Sequence, residues 1–98
     1  MAFEPDPMLP RSYRVDRIIV ETDDTFTVHL VPFNGEDGHP YSPGQFNMLY
    51  VYGVGEVPIS ISGNPVTPIP LVHTTREVGA VTRAMRALKK GDLLGVRG

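Results

Sequence analysis

Three short stretches of this sequence contain hydroxyl side chains that could bind a ligand; the first and third also contain glycine, and the third an arginine. The first (residues 41–46) is a Pro-Gly turn that leads into an apolar run. The second (residues 58–62) has serines at alternate positions, so their hydroxyls point to one side of a strand. The third (residues 72–82) passes from a strand, through a short turn, to the start of a helix. The plainer alternative for the two serines is that they only face solvent.

The start of the helix has the composition of an anion site. The first N–H groups of a helix have no intrahelical partners, and the positive end of the helix dipole favours a phosphate there. Gly79 allows a ligand to approach the backbone closely, and the Thr82 hydroxyl can donate one more hydrogen bond. Without other support, a Gly-x-x-Thr segment is usually a helix cap, so both interpretations stay open.

Together these motifs resemble the flavin-binding domain of the ferredoxin–NADP reductase superfamily, and more narrowly the gamma subunit of cytosolic nickel–iron hydrogenases and sulfhydrogenases. Electron-transfer subunits of dihydroorotate dehydrogenase are more distant relatives. The resemblance covers almost the whole chain. It implies a bound flavin, FAD in preference to FMN. The residues that it assigns to flavin binding are Pro58, Ile59, Ser60, Ile61, His73, Thr74, Arg76, Gly79, Ala80, Val81 and Thr82.

The resemblance also implies roles for single residues. Ile59 is expected to pack on the isoalloxazine ring, and Ser60 to approach its reactive nitrogen. His73 and Thr74 lie on the strand that edges the flavin, where packing is the alternative to a ring or ribityl contact. The sequence has Val57 where the family has an arginine, so a bidentate phosphate contact is missing. Arg76 could supply the missing positive charge, or it could be an exposed arginine at a strand end.

Residue periodicity predicts the elements that position these motifs. Alternating apolar residues predict strands over 12–21, 25–33, 46–52, 57–62, 69–75 and 92–97, which indicates a mainly β fold: a six-stranded antiparallel Greek-key barrel. Apolar spacing of three and four residues predicts one short α-helix over 78–89, with Gly91 as its C-cap. The residues predicted to share one face are Tyr13, Val15 and Arg17 in the first strand and Phe26, Val28 and Leu30 in the second. The helix has an apolar stripe of Val78, Val81, Met85 and Leu88, of which the last three are expected in the core.

Composition excludes several functions. The chain of 98 residues contains no cysteine, which removes disulfides, iron–sulfur ligation and a thiol nucleophile. His29, His39 and His73 lack ligand-like spacing, so no metal site is expected. The net charge of −2 and the absence of aromatic residues among the late basic ones argue against nucleic acid. Asp23 and Asp24 are interpreted as solvated turn residues.

The sequence also suggests how the chain is organised. Residues 1–10 form an extended proline-rich arm, and residues 11–98 a flavin-binding barrel that stops before an NAD(P)-binding domain. No segment has the character of a membrane span or a secretory signal, so a cytoplasmic location is expected. Arg83, Arg86, Lys89 and Lys90 are expected to be a solvated helix face, with docking of an acidic partner as the alternative.

Two hypotheses of different classes follow. In the first, the intact subunit moves electrons between NAD(P)H and the centres of a hydrogenase or iron–sulfur partner, while this fragment alone is inactive with NAD(P)H. In the second, which the valine at position 57 favours, the chain is a cofactor-free barrel that serves as a structural or docking module.

Overall fold

The computed structural model of the chain describes residues 11–33, 45–63, 66 and 69–98. The predicted arm and most of the predicted Pro-Gly turn lie outside these residues. In chain order the elements are β1 (Arg11–Val20), β2 (Thr25–Pro32), β3 (Phe46–Val51), β4 (Gly55–Ser60), β5 (Leu71–Arg76), α1 (Ala80–Arg86) and β6 (Leu93–Arg97).

The six strands form one antiparallel sheet that curls into a nearly closed barrel. Neighbouring strands follow the order β4-β3-β6-β1-β2-β5, so β6 returns between β1 and β3 as in a Greek key. The ends of the sheet meet just beyond β4, where Ile61 pairs with His73. The Ser62 N–H donates to the Val72 carbonyl at 2.9 Å beside that pair. The predicted fold class is therefore confirmed.

Inward-facing side chains of the strands fill the barrel. The predicted β2 face is confirmed, because Phe26, Val28 and Leu30 are all fully buried. Met85 of α1 is also buried, and Val81 and Leu88 pack against the same core. One short helix therefore completes a core that is otherwise made by the sheet.

The predicted face of β1 is right for two residues and wrong for the third. Tyr13 and Val15 are buried, whereas Arg17 is exposed. The pairing of β1 with β2 shifts register between Val15 and Arg17, and a bulge of this kind turns the following side chains to the other face. Ile18 consequently takes the place in the core that strict alternation gives to Arg17.

The helix is shorter than its periodicity predicts. It begins at Ala80 because Gly79 is extended, with φ −178°. Val78, the first residue of the predicted apolar stripe, lies outside the helix and is 71% exposed. The C-cap is Ala87, so the prediction for Gly91 was wrong. Gly91 instead adopts φ +95° in the turn to β6, a conformation that glycine tolerates best. Across the described part of the chain, no helix has both the length and the apolar character needed to span a membrane.

Candidate functional site at the seam between β4 and β5

The barrel is open along one line, between β4 (Gly55–Ser60) and β5 (Leu71–Arg76), which we call the seam. In the described part of the chain, the Ile61–His73 pair is the single bridge across it. Pro58 of β4 pairs with Met48 of β3 on its other side. Because proline has no N–H, it is tolerated in a strand only where that position needs no ladder hydrogen bond. Pro58 therefore fits an edge strand that borders an opening.

The direction of the backbone groups places the Ser60 amide at the seam. The Ile61 N–H donates to the Gln45 carbonyl on the β3 side, and the Ser62 N–H donates to the Val72 carbonyl on the β5 side. Successive N–H groups of a strand alternate in direction, so the Ser60 N–H points toward β5. A polar backbone group and an exposed hydroxyl of the same residue thus face the opening.

Side chains of the predicted β4 motif divide between the two faces of the barrel. Pro58 and Ser60 are exposed on the outer face. Ile59 and Ile61 are 5% and 8% exposed and belong to the core. The Ile59 side chain therefore supports the strand from inside, and Ser60 is the residue of this motif that a surface-bound ligand meets directly.

His73 and Thr74 of β5 also face opposite ways. Thr74 is exposed, whereas His73 is fully buried. The His73 Nε2 atom lies 3.2 Å from the Asn47 side-chain nitrogen, and its Nδ1 atom has no hydrogen-bond partner among the residues that the structure describes. Burial lowers the pKa of His73 to about 4, because the low-dielectric core disfavours the charged ring. The structure therefore matches the packing interpretation of His73 and leaves Thr74 at the seam.

Arg76 lies at the far end of β5 and is held by an acidic turn. Its guanidinium is 3.2 Å from Asp24 Oδ2. The pKa of Asp24 lies below its ordinary value, because Thr22 and, to a smaller extent, Arg76 donate hydrogen bonds to its carboxylate. Arg76 is exposed enough to reach a ligand, but its nearest partner in this structure is the Asp24 carboxylate.

The start of α1 is capped by its own threonine. The Thr82 hydroxyl accepts hydrogen bonds from the Val78 and Gly79 N–H groups at 2.9 and 3.1 Å, and it donates to the Gly79 carbonyl at 3.2 Å. Thr82 is 2% exposed. Its hydroxyl proton is therefore already used in the cap, which is the plainer of the two interpretations of this segment. The N–H groups of Ala80 and Val81, in the first turn, have no partner within the helix.

The start of α1 and Ser60 lie at opposite ends of β4. A Cβ at Gly55 would be 3.3 Å from Val81 Cγ2, so α1 sits at the beginning of β4, while Ser60 is at its end. At a rise of ~3.3 Å per residue, the five steps between them correspond to about 16 Å. Such a separation suits an extended nucleotide better than a single phosphate or a ring alone.

Several residues of this region were not singled out by the sequence patterns. Asn47 is the buried partner of His73, and Glu21 accepts a hydrogen bond from Thr27 beside Thr74. Arg86 contradicts its predicted place on a solvated face, because its side chain is 26% exposed and lies 2.8 Å from Glu77. The packing of the barrel brings Asn47 to His73, the strand register places Thr27 beside Thr74, and the path of the chain into α1 brings Glu77 to Arg86.

Comparisons with known structures define the class of fold. The cytochrome b5 reductase domain of Ulva prolifera nitrate reductase superimposes with a TM-score of 0.76 at 15% identity, over 95% of this chain and 40% of that one. A type IV self-sufficient cytochrome P450 monooxygenase matches with a TM-score of 0.73 at 21% identity, over 91% of this chain and 12% of the other. At these identities the likeness establishes that the barrel has the reductase-domain fold.

Sequence comparison gives closer relatives. The chain is 36% identical over 80 residues to sulfhydrogenase 1 subunit gamma of Pyrococcus furiosus, covering 82% of this chain and 27% of the relative. It is 34% identical over 91 residues to the probable dihydroorotate dehydrogenase B electron transfer subunit of Methanocella arvoryzae, covering 93% of this chain and 32% of the relative. No protein-family model matches.

The chain is therefore a homologue of sulfhydrogenase gamma subunits and of dihydroorotate dehydrogenase electron transfer subunits, which confirms the resemblance inferred from its motifs. It spans about a quarter to a third of the length of these relatives. The matched part is the reductase-type barrel.

Proposed function

We propose that this chain is the flavin-binding domain of an electron-transfer oxidoreductase subunit and that FAD lies along the seam. The observation that carries the proposal is the arrangement of that opening. Exposed Ser60 and Thr74 flank one end of it, and the first turn of α1 lies at the other. The names of the relatives, which are electron transfer and sulfhydrogenase subunits, support the same function.

The residues present fit a flavin nucleotide at most of the proposed contacts. The N–H groups of Ala80 and Val81, with Ala80 exposed, would hold the diphosphate. The Ser60 hydroxyl and N–H would bind the edge of the ring, with Pro58 and Thr74 beside it. Arg76 would contribute positive charge after release from Asp24. The buried members of the predicted set (Ile59, Ile61, His73 and Thr82) and the partly buried Val81 would hold the backbone of the site in shape.

When bound, the flavin supplies the chemistry that converts a hydride donor into a source of single electrons. We propose that NAD(P)H reaches it through a further domain, since the relatives are three to four times longer than the matched stretch. The proposed electron partners are other subunits of a hydrogenase or iron–sulfur complex. We expect this chain alone not to oxidise NAD(P)H. The cytoplasmic location stays a prediction.

A charge placed at the start of α1 tests the phosphate end of the proposal. Ala80→Asp adds a carboxylate where a helix favours negative charge, so the fold should keep its stability. The same carboxylate repels a diphosphate, and the dissociation constant for FAD should rise by at least about tenfold, or about 1.4 kcal/mol. Isothermal titration with FAD measures the effect. Ala87→Asp makes the same charge change at the other end of the helix and should leave FAD affinity unaltered.

The cofactor-free docking module remains the second candidate, and Val57 is the observation that favours it. Val57 packs partly against the core and offers no charge to a phosphate. If the purified chain stays colourless after incubation with excess FAD and removal of the free flavin, and Ala80→Asp behaves like Ala87→Asp, the flavin proposal fails and the docking module is favoured.

A further inference from the structure

A connected chain of four polar side chains runs along the outer face of β2 and β5 to the seam. The Thr27 hydroxyl is 2.9 Å from Glu21 Oε1 and 2.8 Å from the Thr74 hydroxyl. The Ser62 hydroxyl, on the far side of Thr74, lies 3.2 Å from it. Thr27 is 6% exposed, whereas Thr74 and Ser62 are exposed. This series of side chains therefore leads from the Glu21 carboxylate, through the buried Thr27 hydroxyl, to the two hydroxyls of Thr74 and Ser62, which a ligand can reach.

The Glu21 carboxylate fixes the direction of the two hydrogen bonds nearest to it, those of Thr27 with Glu21 and with Thr74. Ionised Glu21 can only accept, so the single hydroxyl proton of Thr27 is donated to it. Thr27 must then accept from Thr74, which uses the one proton of Thr74. The proton of Ser62 goes either to Thr74 or to the Val72 carbonyl, 3.3 Å away. In both cases Thr74 and Ser62 present only oxygen lone pairs toward the outside.

We propose that Glu21 is a positioning residue for the flavin: through Thr27 it makes the Thr74–Ser62 edge of the seam a surface of hydrogen-bond acceptors. This inference rests on the proposed function. An acceptor surface binds O–H and N–H groups, such as sugar-alcohol hydroxyls or the ring imide, and it disfavours phosphate oxygens. The nucleotide is thereby oriented with its uncharged, donor-rich part at Thr74 and its diphosphate toward α1.

The alternative is that the same hydrogen bonds only stabilise the pairing of the strands and have no role in ligand binding. Hydroxyl pairs across neighbouring strands stabilise a sheet by a few tenths of a kcal/mol up to ~1 kcal/mol without any ligand. Under that alternative, removal of Glu21 alters the stability of the barrel and leaves the affinity for FAD alone. The two roles therefore differ in what the Glu21 substitution does to binding, and in whether Thr74 transmits it.

A double-mutant cycle on FAD affinity tests the proposal. Thr74→Val should raise the dissociation constant by about fivefold, the value of one hydrogen bond. Glu21→Ala should raise it by about threefold in the wild-type background and not at all in the Thr74→Val background. Thr74→Ser keeps the hydroxyl and should restore affinity. Asp23→Ala removes the same charge two residues away and should change nothing.

Two results would overturn the inference. One is an equal effect of Glu21→Ala in both backgrounds, because the carboxylate would then act without Thr74. The other is an equal effect of Asp23→Ala, because general electrostatics would then explain the change. Thermal unfolding of each variant separates a loss of affinity from a loss of fold.

A measurement without ligand separates failure of this inference from failure of the proposed function. In the proton NMR spectrum, the Thr27 hydroxyl should give a slowly exchanging signal that Glu21→Ala abolishes. If the wild-type protein does not bind FAD, the proposed function fails and the ligand role of Glu21 fails with it. The Thr27 signal still shows whether the hydrogen bonds from Thr74 through Thr27 to Glu21 have the inferred direction. A Thr27 hydroxyl that exchanges fast in the wild-type chain contradicts the inference even if FAD binds.

Discussion

Ser60, Thr74 and His73 show how adjacent positions of this barrel serve different purposes. Ser60 and Thr74 point outward at the seam, while His73, next to Thr74, is fully buried against Asn47. The alternation of strand side chains alone produces this division. A sequence motif therefore identifies a stretch of the chain, and the face on which each residue lies decides whether it can contact a ligand.

The buried histidine makes stability depend on pH in a definite direction. His73 has an ordinary pKa of 6.5 and a pKa of about 4 in the fold, so its neutral form is the one the fold accepts. As pH falls below 6.5, His73 becomes protonated in the unfolded chain but stays neutral in the folded chain. The contribution of neutral His73 to the free energy of unfolding is fully present above pH 6.5. It is lost progressively down to about pH 4, by about 3 kcal/mol in total.

Urea unfolding between pH 7.5 and 4 checks this prediction against the variant His73→Leu. Carboxylates such as Asp24 also lose favourable interactions in acid, so the difference between the two proteins is the quantity that isolates His73. Wild type should lose more stability than the variant over this range. Parallel curves would contradict the prediction, because they would show that His73 has the same pKa in the folded and the unfolded chain.

At the scale of elements, the short helix depends on a single hydroxyl. Thr82 satisfies the N–H groups of Val78 and Gly79 and is 2% exposed. The sequence predicted a helix start two residues too early, at Val78, and left open whether the threonine caps the helix or binds a phosphate. Which partner a hydroxyl takes depends on the backbone around it, here the extended Gly79, and not on the Gly-x-x-Thr spacing.

Thr82→Val tests the cap. The substitution preserves shape but leaves two amides without their acceptor, which should lower the free energy of unfolding by about 1–3 kcal/mol. Thr82→Ser retains the hydroxyl and should recover most of the loss. Chemical denaturation measures both. A valine variant as stable as wild type would mean that water replaces the cap at no cost.

A second feature at this scale ties α1 to the turn between β1 and β2. Arg86 Nη1 is 2.6 Å from the Asp23 carbonyl and 2.8 Å from Glu77, and the Glu77 N–H donates to the Asp24 carbonyl at 2.6 Å. These contacts fix the direction in which the chain enters the helix. They also hold the turn that carries the partner of Arg76.

Arg86→Ala should loosen this junction. We expect a loss of about 1 kcal/mol in the free energy of unfolding and faster exchange of the Glu77 amide. Arg83 also pairs with Glu77, at 3.4 Å, but its side chain is 73% exposed, so Arg83→Ala should cost close to nothing. Equal effects of the two substitutions would contradict the role given to Arg86.

The whole molecule is the scale at which the sequence was most informative. Alternation of apolar residues predicted six strands and one helix, and the strand order completed them as a Greek-key barrel. The features that periodicity missed depend on register. Examples are the bulge that exposes Arg17, the Asn47–His73 pair and the hydrogen bonds that link Glu21, Thr27 and Thr74. The spacing of these residues along the chain does not indicate which of them become neighbours in the fold.

The central claim is that a flavin nucleotide lies along the seam between β4 and β5. The most direct measurement is titration of the isotope-labelled chain with FAD, followed by amide chemical shifts. The account predicts saturable shifts of one-to-one stoichiometry, largest at Ser60, Thr74 and Ala80. Absence of saturable shifts, or shifts confined to the β1–β6 side of the barrel, would contradict it.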